Sequence, residues 1–391
     1  MRTMLTLPLF VLFSAAVFLW IRRIGRALET VRKVPYVSII PKDPSAHANL
    51  TIVIPARNEE KNLPHCLRSL ETQLDENTSC LVINDRSTDQ TEAILKKWGY
   101  TEIQALPLLK KSYINLHKPP PSGWTGKNNA LHAAYGYLQT DWLLFTDADT
   151  FHARSGVHSA LAHAVKNQLA LLTLTPSCLT VSFAERLIQP SAMAMMGLWF
   201  PLNRVNQANH PDHFANGQFL MIRKELYQQL GGHAGVSDCF LEDFALMKKA
   251  KKAGAKTACN LGQEIYGTRM YQTAKEIWRG WRRIYLHASE CSSKRLLKHF
   301  AELCIASILP NAGILILIFV PLPQSNLETL TRILAGLWVV TAAVTAVGTY
   351  QTLRAPRRYA LLHPLAAIIV AGILLDAVRV SFLHLETKWR G

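Results

Sequence analysis

The chain holds 391 residues, 49% of them hydrophobic, with 43 Lys and Arg against 27 Asp and Glu and a formal net charge of +16. That is room for one large globular domain plus additional segments, and basicity without low-complexity tracts suits a membrane surface or an anionic substrate; no nucleic-acid-binding motif accompanies it. The seven cysteines are scattered and form no Cys-x-x-Cys, which argues against a disulfide framework or a structural zinc site and fits a reducing cytosol.

Residues 5–21 form a charge-free run followed at once by Arg22, Arg23 and Arg26. A cleaved leader carries its positive charge before the apolar run, so the reverse order predicts a retained anchor in residues 1–21 with its C-terminal flank in the cytoplasm. Seventeen residues is short for a span, and an interfacial helix is the alternative. Residues 22–49 read as a linker.

Leu50-Thr51-Ile52-Val53-Ile54-Pro55 is a β-branched run of strand type, and a helix is expected from Ala56 through about Gln73. Cys80-Leu81-Val82-Ile83-Asn84-Asp85 predicts a second strand, followed by a helix over residues 90–99. A short third strand is expected over 103–106, and a helix over 130–139 after Gly126-Lys127-Asn128. Strands alternating with helices predict an α/β fold with a mainly parallel sheet.

Trp142-Leu143-Leu144-Phe145 then runs into Asp147-Ala148-Asp149, with a helix-like segment expected next. In an extended backbone, side chains two apart share a face, so both carboxylates are expected to meet at the carboxyl end of a buried strand. Two such oxygens beside a phosphate suit Mg²⁺ or Mn²⁺, while a polar turn is the plain alternative. Asp85 and Lys127 are placed to meet a nucleoside and a phosphate. No dinucleotide or P-loop glycine motif is present.

Thr51-Ile52-Val53-Ile54-Pro55-Ala56-Arg57-Asn58-Glu59, Asn84-Asp85-Arg86-Ser87-Thr88-Asp89, Gly126-Lys127-Asn128 and Asp147-Ala148-Asp149 resemble, in order, the signatures of family-two glycosyltransferases. The resemblance covers about residues 50–290 and implies a GT-A nucleotide-sugar-binding domain on the cytoplasmic side of the membrane, acting with inversion. It implies that Pro55, Arg57, Glu59 and Asp85 border a uridine, that Lys127 lies near the diphosphate, and that Asp147 and Asp149 hold nucleotide and metal. Asn84 departs from the family, where many members carry Asp.

The same resemblance places Asn216 and Gly217 close to the donor sugar and makes Asp243, supported by Glu242, the catalytic base. Acidic residues opening a helix also simply complement its dipole. Arg279, Trp281 and Arg282 would cap the diphosphate, although Gly280 breaks the family's Arg-Trp pattern; interfacial anchoring is the alternative. The Met- and Trp-rich stretch 182–206 reads as core packing or as a surface for lipid.

Apolar stretches at about 300–320, 333–350 and 359–380 predict three C-terminal spans, and Arg354, Arg357 and Arg358 place the loop before the last of them in the cytoplasm. Glu302 and Asp376 within these stretches hint at function or helix pairing. Residues 381–391 form a tail. With the resemblance, this organisation implies a multi-pass inner-membrane enzyme moving a hexose from a UDP-sugar to a lipid, as ceramide-glucosylating, carotenoid-glycosylating and hopene-associated members do. A processive polysaccharide synthase and a non-catalytic membrane scaffold are the alternatives.

Overall fold

The computed structural model describes residues 3–41 and 48–383. Parts of the expected linker (42–47) and tail (384–391) lie outside the described residues. The described chain forms two compact units, one made of residues 33–177 and 202–270, the other of 3–32, 178–201 and 271–383.

The first unit is the α/β one. Its strands are β1 (Leu50–Ala56), β2 (Thr78–Asp85), β3 (Thr101–Glu102), β4 (Lys111–Leu116), β5 (Trp142–Phe145), β6 (Thr150–His152) and β7 (Leu171–Thr175). The chain leaves the unit within β8 (Ser177–Cys178) and returns to add β9 (Leu220–Arg223), β10 (Thr257–Leu261) and β11 (Tyr266–Thr268). Eight strands form one sheet in the order β10-β7-β9-β5-β1-β2-β4-β3. β1 pairs in parallel with both β2 and β5, and only β9 runs antiparallel to its neighbours β5 and β7.

Period-two alternation builds the core on both faces. Ile52, Ile54, Trp142 and Leu144 pack on one side, Val53, Leu143 and Phe145 on the other, all fully or almost fully buried. Strands covered on both faces read as nearly continuous apolar runs, as β5 does and as β1 does apart from Thr51, whose buried hydroxyl bonds Thr140 and Ser79.

Local departures from expectation have local causes. The first helix spans only Leu63–Leu70, with a 3-10 turn at Glu71–Gln73, because Asn58 sits at a left-handed φ of 55° and Pro64 fixes the helix start. Residues 103–106 form no strand; β3 ends at Glu102, and β4, whose residues Lys111 and Asn115 mask the apolar pattern, takes the place beside β2. The expected 130–139 helix is Gly126–Ala133 instead, because Thr125 caps it early by accepting the Asn128 N–H. Within the expected linker, Val37 donates to Leu261 O at 2.8 Å and is buried, so this part of it is packed.

Among the described residues, the helical unit has four helices long and apolar enough to cross a membrane, Leu5–Lys33, Ser293–Phe319, Asn326–Thr352 and Arg357–Phe382. The first is far longer than its uncharged run, because Arg22 and the residues after it continue the same helix. Phe13, Trp20, Leu317, Trp338 and Ala342 form a shared core, with both indoles donating to Ala306 O at 2.8 and 2.7 Å. Glu302 pairs with Arg22 at 3.6 Å, and Asp376 accepts from Trp278 at 2.9 Å, Arg282 at 3.1 Å and Arg379, so both carboxylates join helices. Met195 and Met196 of helix Phe183–Trp199 are buried, which is the core-packing alternative for that stretch.

Candidate active site

Asp147 and Asp149 follow β5, but not in an extended backbone. Ala148 and Asp149 form a turn, and β6 rather than a helix comes next. The Thr150 amide and hydroxyl both donate to Asp147 O, at 3.3 and 2.8 Å. Thr146 Oγ1 donates to Gln218 O at 2.7 Å, and Gln218 Nε2 to Thr268 Oγ1 at 2.8 Å. Buried hydroxyls therefore fix the acidic turn against the turn carrying Asn216 and Gly217, and buried polar groups satisfied this way hold one geometry.

Lys127 is the second residue of helix Gly126–Ala133, where the helix dipole disfavours a cation. Two carboxylates compensate: its ammonium lies 2.9 Å from Asp147 Oδ1 and 2.8 Å from Glu242 Oε1. Burial alone would lower the Lys127 pKa, but Asp147, Glu242 and Asp243 raise it well above the ordinary lysine value. Asn128 brings the partners together. Its buried amide donates to Val236 O, Ser237 O and Cys239 O at 2.7, 3.1 and 2.9 Å, clamping the loop that leads into helix Glu242–Lys252.

Glu242 and Asp243 open that helix, and both are buried. Asp243 Oδ2 accepts the Gly217 N–H at 2.6 Å and Oδ1 accepts the Phe244 N–H at 2.8 Å. Desolvation, with the Glu242 charge behind it and Lys127 opposing, pushes the Asp243 carboxyl up to about 7. Gly217 sits close against the cluster: a Cβ there would lie 3.1 Å from both Glu242 Oε1 and Lys127 Nζ and 3.3 Å from Asp243 Oδ2. Asn216 spends its side chain on structure, giving Nδ2 to Tyr266 OH and taking the Gln218 N–H, each at 3.1 Å.

Pro55, Lys127, Asp147, Gly217, His233 and Glu242 line one crevice. A second group stands at the carboxyl ends of β1 and β2. Both Asp85 oxygens are taken by Arg86, at 2.8 and 3.1 Å, with Arg57 3.8 Å away, so the two arginines rather than the buried acid present the exposed surface. Glu59 accepts from Asn62 at 2.8 Å, and its own N–H goes to Thr91 Oγ1. Arg279, Trp281 and Arg282 lie on helix Ala274–Ala288 of the helical unit. There Trp281 is buried and donates to Gln189 at 2.7 Å, and Arg282 pairs with Asp376 at 3.1 Å.

Among the described residues no group of three or more His, Cys, Asp or Glu side chains could hold a metal ion unaided. Two carboxylates plus the oxygens of a bound phosphate and water make a donor set that Mg²⁺ and Mn²⁺ accept. Asp147 and Asp149 thus fit a metal shared with a phosphate-bearing substrate. No motif in the sequence marks His233, and the structural work of Asn128 shows there only as the third letter of Gly-Lys-Asn.

Residues 51–231 match the family described as glycosyl transferase family 2. A 4,4'-diaponeurosporenoate glycosyltransferase of Staphylococcus aureus is 27% identical over 241 residues, 60% of each chain, so the match spans less than two thirds of that relative's length. Among solved structures, a mannosyltransferase from Pyrobaculum calidifontis in complex with GDP-Man and Mn²⁺ aligns at TM-score 0.49 and 15% identity, over 96% of this chain and 100% of that one. Glucosyl-3-phosphoglycerate synthase of Mycobacterium tuberculosis, solved with Mn²⁺ and UDP-glucose, aligns at TM-score 0.38 and 16% identity, over 62% of this chain and 79% of that one.

Proposed function

We propose that this chain, which carries a glycosyl transferase family 2 domain over residues 51–231, transfers a hexose from a UDP-sugar to a lipid acceptor at the cytoplasmic face of a membrane, by a single inverting displacement. The observation that carries the reading is the meeting of Lys127, Asp147, Glu242 and Asp243 around Gly217, where a carboxyl raised to about 7 stands beside a cation.

Asp243 is the general base. It takes the proton of the acceptor hydroxyl as that oxygen attacks the anomeric carbon, and the bond from that carbon to the diphosphate oxygen breaks, releasing UDP. A base titrating near the working pH combines availability with strength, which desolvation of Asp243 supplies. Lys127 meets the charge that builds on the diphosphate, and Glu242 holds Lys127 and keeps Asp243 basic. Asp147 and Asp149 would hold Mg²⁺ or Mn²⁺, which neutralises diphosphate charge when bound. Arg57 and Arg86 offer cationic contacts at the nucleoside end, with Asp85 fixing their positions.

The four apolar helices support membrane attachment, and the relative's name supports a carotenoid-type lipid acceptor. The test is to incubate membranes containing the protein with labelled UDP-glucose or UDP-galactose and extract with organic solvent. Label should move into the lipid phase. Label retained in water-soluble, high-mass polymer would replace this reading with a processive polysaccharide synthase, and no transfer from any UDP-hexose would end it.

A further inference from the structure

His233 belongs to the crevice wall, yet the reaction above gives it no part. It is 1% exposed and flanked by Phe145, whose ring stands edge-on at 4.8 Å. Tyr227 holds the other ring nitrogen. The phenolic oxygen accepts the His233 backbone N–H at 3.2 Å and lies 2.6 Å from Nδ1. A phenol that donates to Nδ1 leaves the imidazole hydrogen on Nε2, and that is the tautomer we assign. Nε2 has no hydrogen-bond partner. Burial, then Lys127 and His132, hold the ring's pKa down to about 3, so it stays neutral at any ordinary pH.

A buried donor with nothing to donate to destabilises the fold. Such a cost persists where a ligand removes it. Leu131, Phe145 and Leu220 line the same crevice as His233. Apolar walls penalise a diphosphate and suit the C–H faces of a sugar ring. Glu242, a carboxylate acceptor, shares the wall with this neutral donor, so between them they match the two capacities of a hydroxyl group.

We propose that His233 is a sugar-recognition residue whose Nε2–H donates to one hydroxyl of the hexose being transferred, and that Tyr227 is the positioning residue that sets its tautomer. The inference rests on the glycosyl-transfer reading and adds to it the group that selects among hexoses. The crevice is closed in this structure, with Lys127 bridging Asp147 and Glu242 across it, so the proposal requires Lys127 to swing towards the diphosphate before the sugar enters.

The test compares UDP-hexose with its deoxy analogues, one hydroxyl removed at a time, in the full-length protein in membranes. In the wild type, one deoxy position should lower kcat/KM at least about tenfold. His233→Phe, which keeps the ring and its packing, should lower kcat/KM for the parent sugar by a similar factor. It should show no further loss with that one analogue, while its affinity for UDP alone stays unchanged. His233→Gln, which restores a donor at a similar reach, should recover discrimination. Equal multiplicative losses at every deoxy position in His233→Phe overturn the proposal, because a merely structural residue has no preferred hydroxyl. Should His233→Phe not fold, Tyr227→Phe reads the same donor: discrimination at that position should fall, and an unchanged ratio overturns the proposal. Wild-type protein inactive with every UDP-hexose would refute the transfer reading instead, so the two failures are distinguishable.

Discussion

Gly217 donates its backbone N–H to Asp243 Oδ2 at 2.6 Å, joining a turn before β9 to the first turn of helix Glu242–Lys252. The bond lets the carboxylate be both buried and aimed, and the bare glycine lets the turn approach the charged cluster without crowding it.

Gly217→Ala should fold and turn over more slowly. Its Cβ would stand 3.1 Å from Glu242 Oε1 and Lys127 Nζ, closer than ordinary packing, so those ends must give by a few tenths of an ångström. A misplacement of about 1 Å at a reacting site costs on the order of 100-fold, so this smaller one should cost on the order of tenfold. Transfer assays should show that loss in kcat with circular dichroism unchanged; full activity would mean the cluster tolerates rearrangement.

Asp243→Asn should abolish transfer while leaving UDP affinity intact, since it removes the base but spares the shape. Stability carries a second signature. The raised carboxyl means the folded state keeps a proton between about pH 4 and 7 that the unfolded chain releases, so this group's destabilising effect grows as pH rises through that window. The variant should thus gain melting temperature over wild type at pH 8 more than at pH 5.

The pH profile should have an acid limb near 7, because Asp243 must be ionised to accept a proton. Glu242→Gln removes a like charge and should move the limb to lower pH. Lys127→Met removes an opposing cation and should move it up. A limb that ignores both substitutions would exclude Asp243 as its source.

Chelation of divalent metal with EDTA should stop turnover and be reversed by Mg²⁺ or Mn²⁺. Asp149→Asn should raise the metal concentration needed for half-maximal activity. Unchanged activity at trace metal would remove Asp147 and Asp149 from metal binding.

Asn128→Ala should destabilise by about 1–3 kcal/mol, since three carbonyls lose their buried donor. Because the released loop precedes Glu242, kcat should fall as well; a drop in melting temperature without one would separate fold from site.

Much of the strand framework was legible in the sequence. Ile52-Val53-Ile54 and Leu143-Leu144-Phe145 are uniformly apolar because both faces of β1 and β5 are covered, and a pattern that strong needs no tertiary information. β4 escaped notice because its polar residues Lys111 and Asn115 are balanced by partners elsewhere, Glu71 and Asn84. The same holds at the site. Residues 127, 147, 217, 242 and 243 could be picked out by motif, yet nothing local says that Lys127 bridges Asp147 and Glu242, that Arg86 occupies both oxygens of Asp85, or that Trp281 is buried against Gln189.

The sequence by itself determined the alternation of strands and helices, the apolar stretches long enough to span a bilayer, and the acids and lysine that stand out as a set. Those properties depend on neighbours along the chain, through backbone periodicity and local hydrophobicity. Only the tertiary structure decided which charges meet, how far Asp243 is desolvated, and that His233 Nε2 is buried without a hydrogen-bond partner. These are sums over groups that the fold brings together from separate parts of the chain, and electrostatics and burial read distance in space.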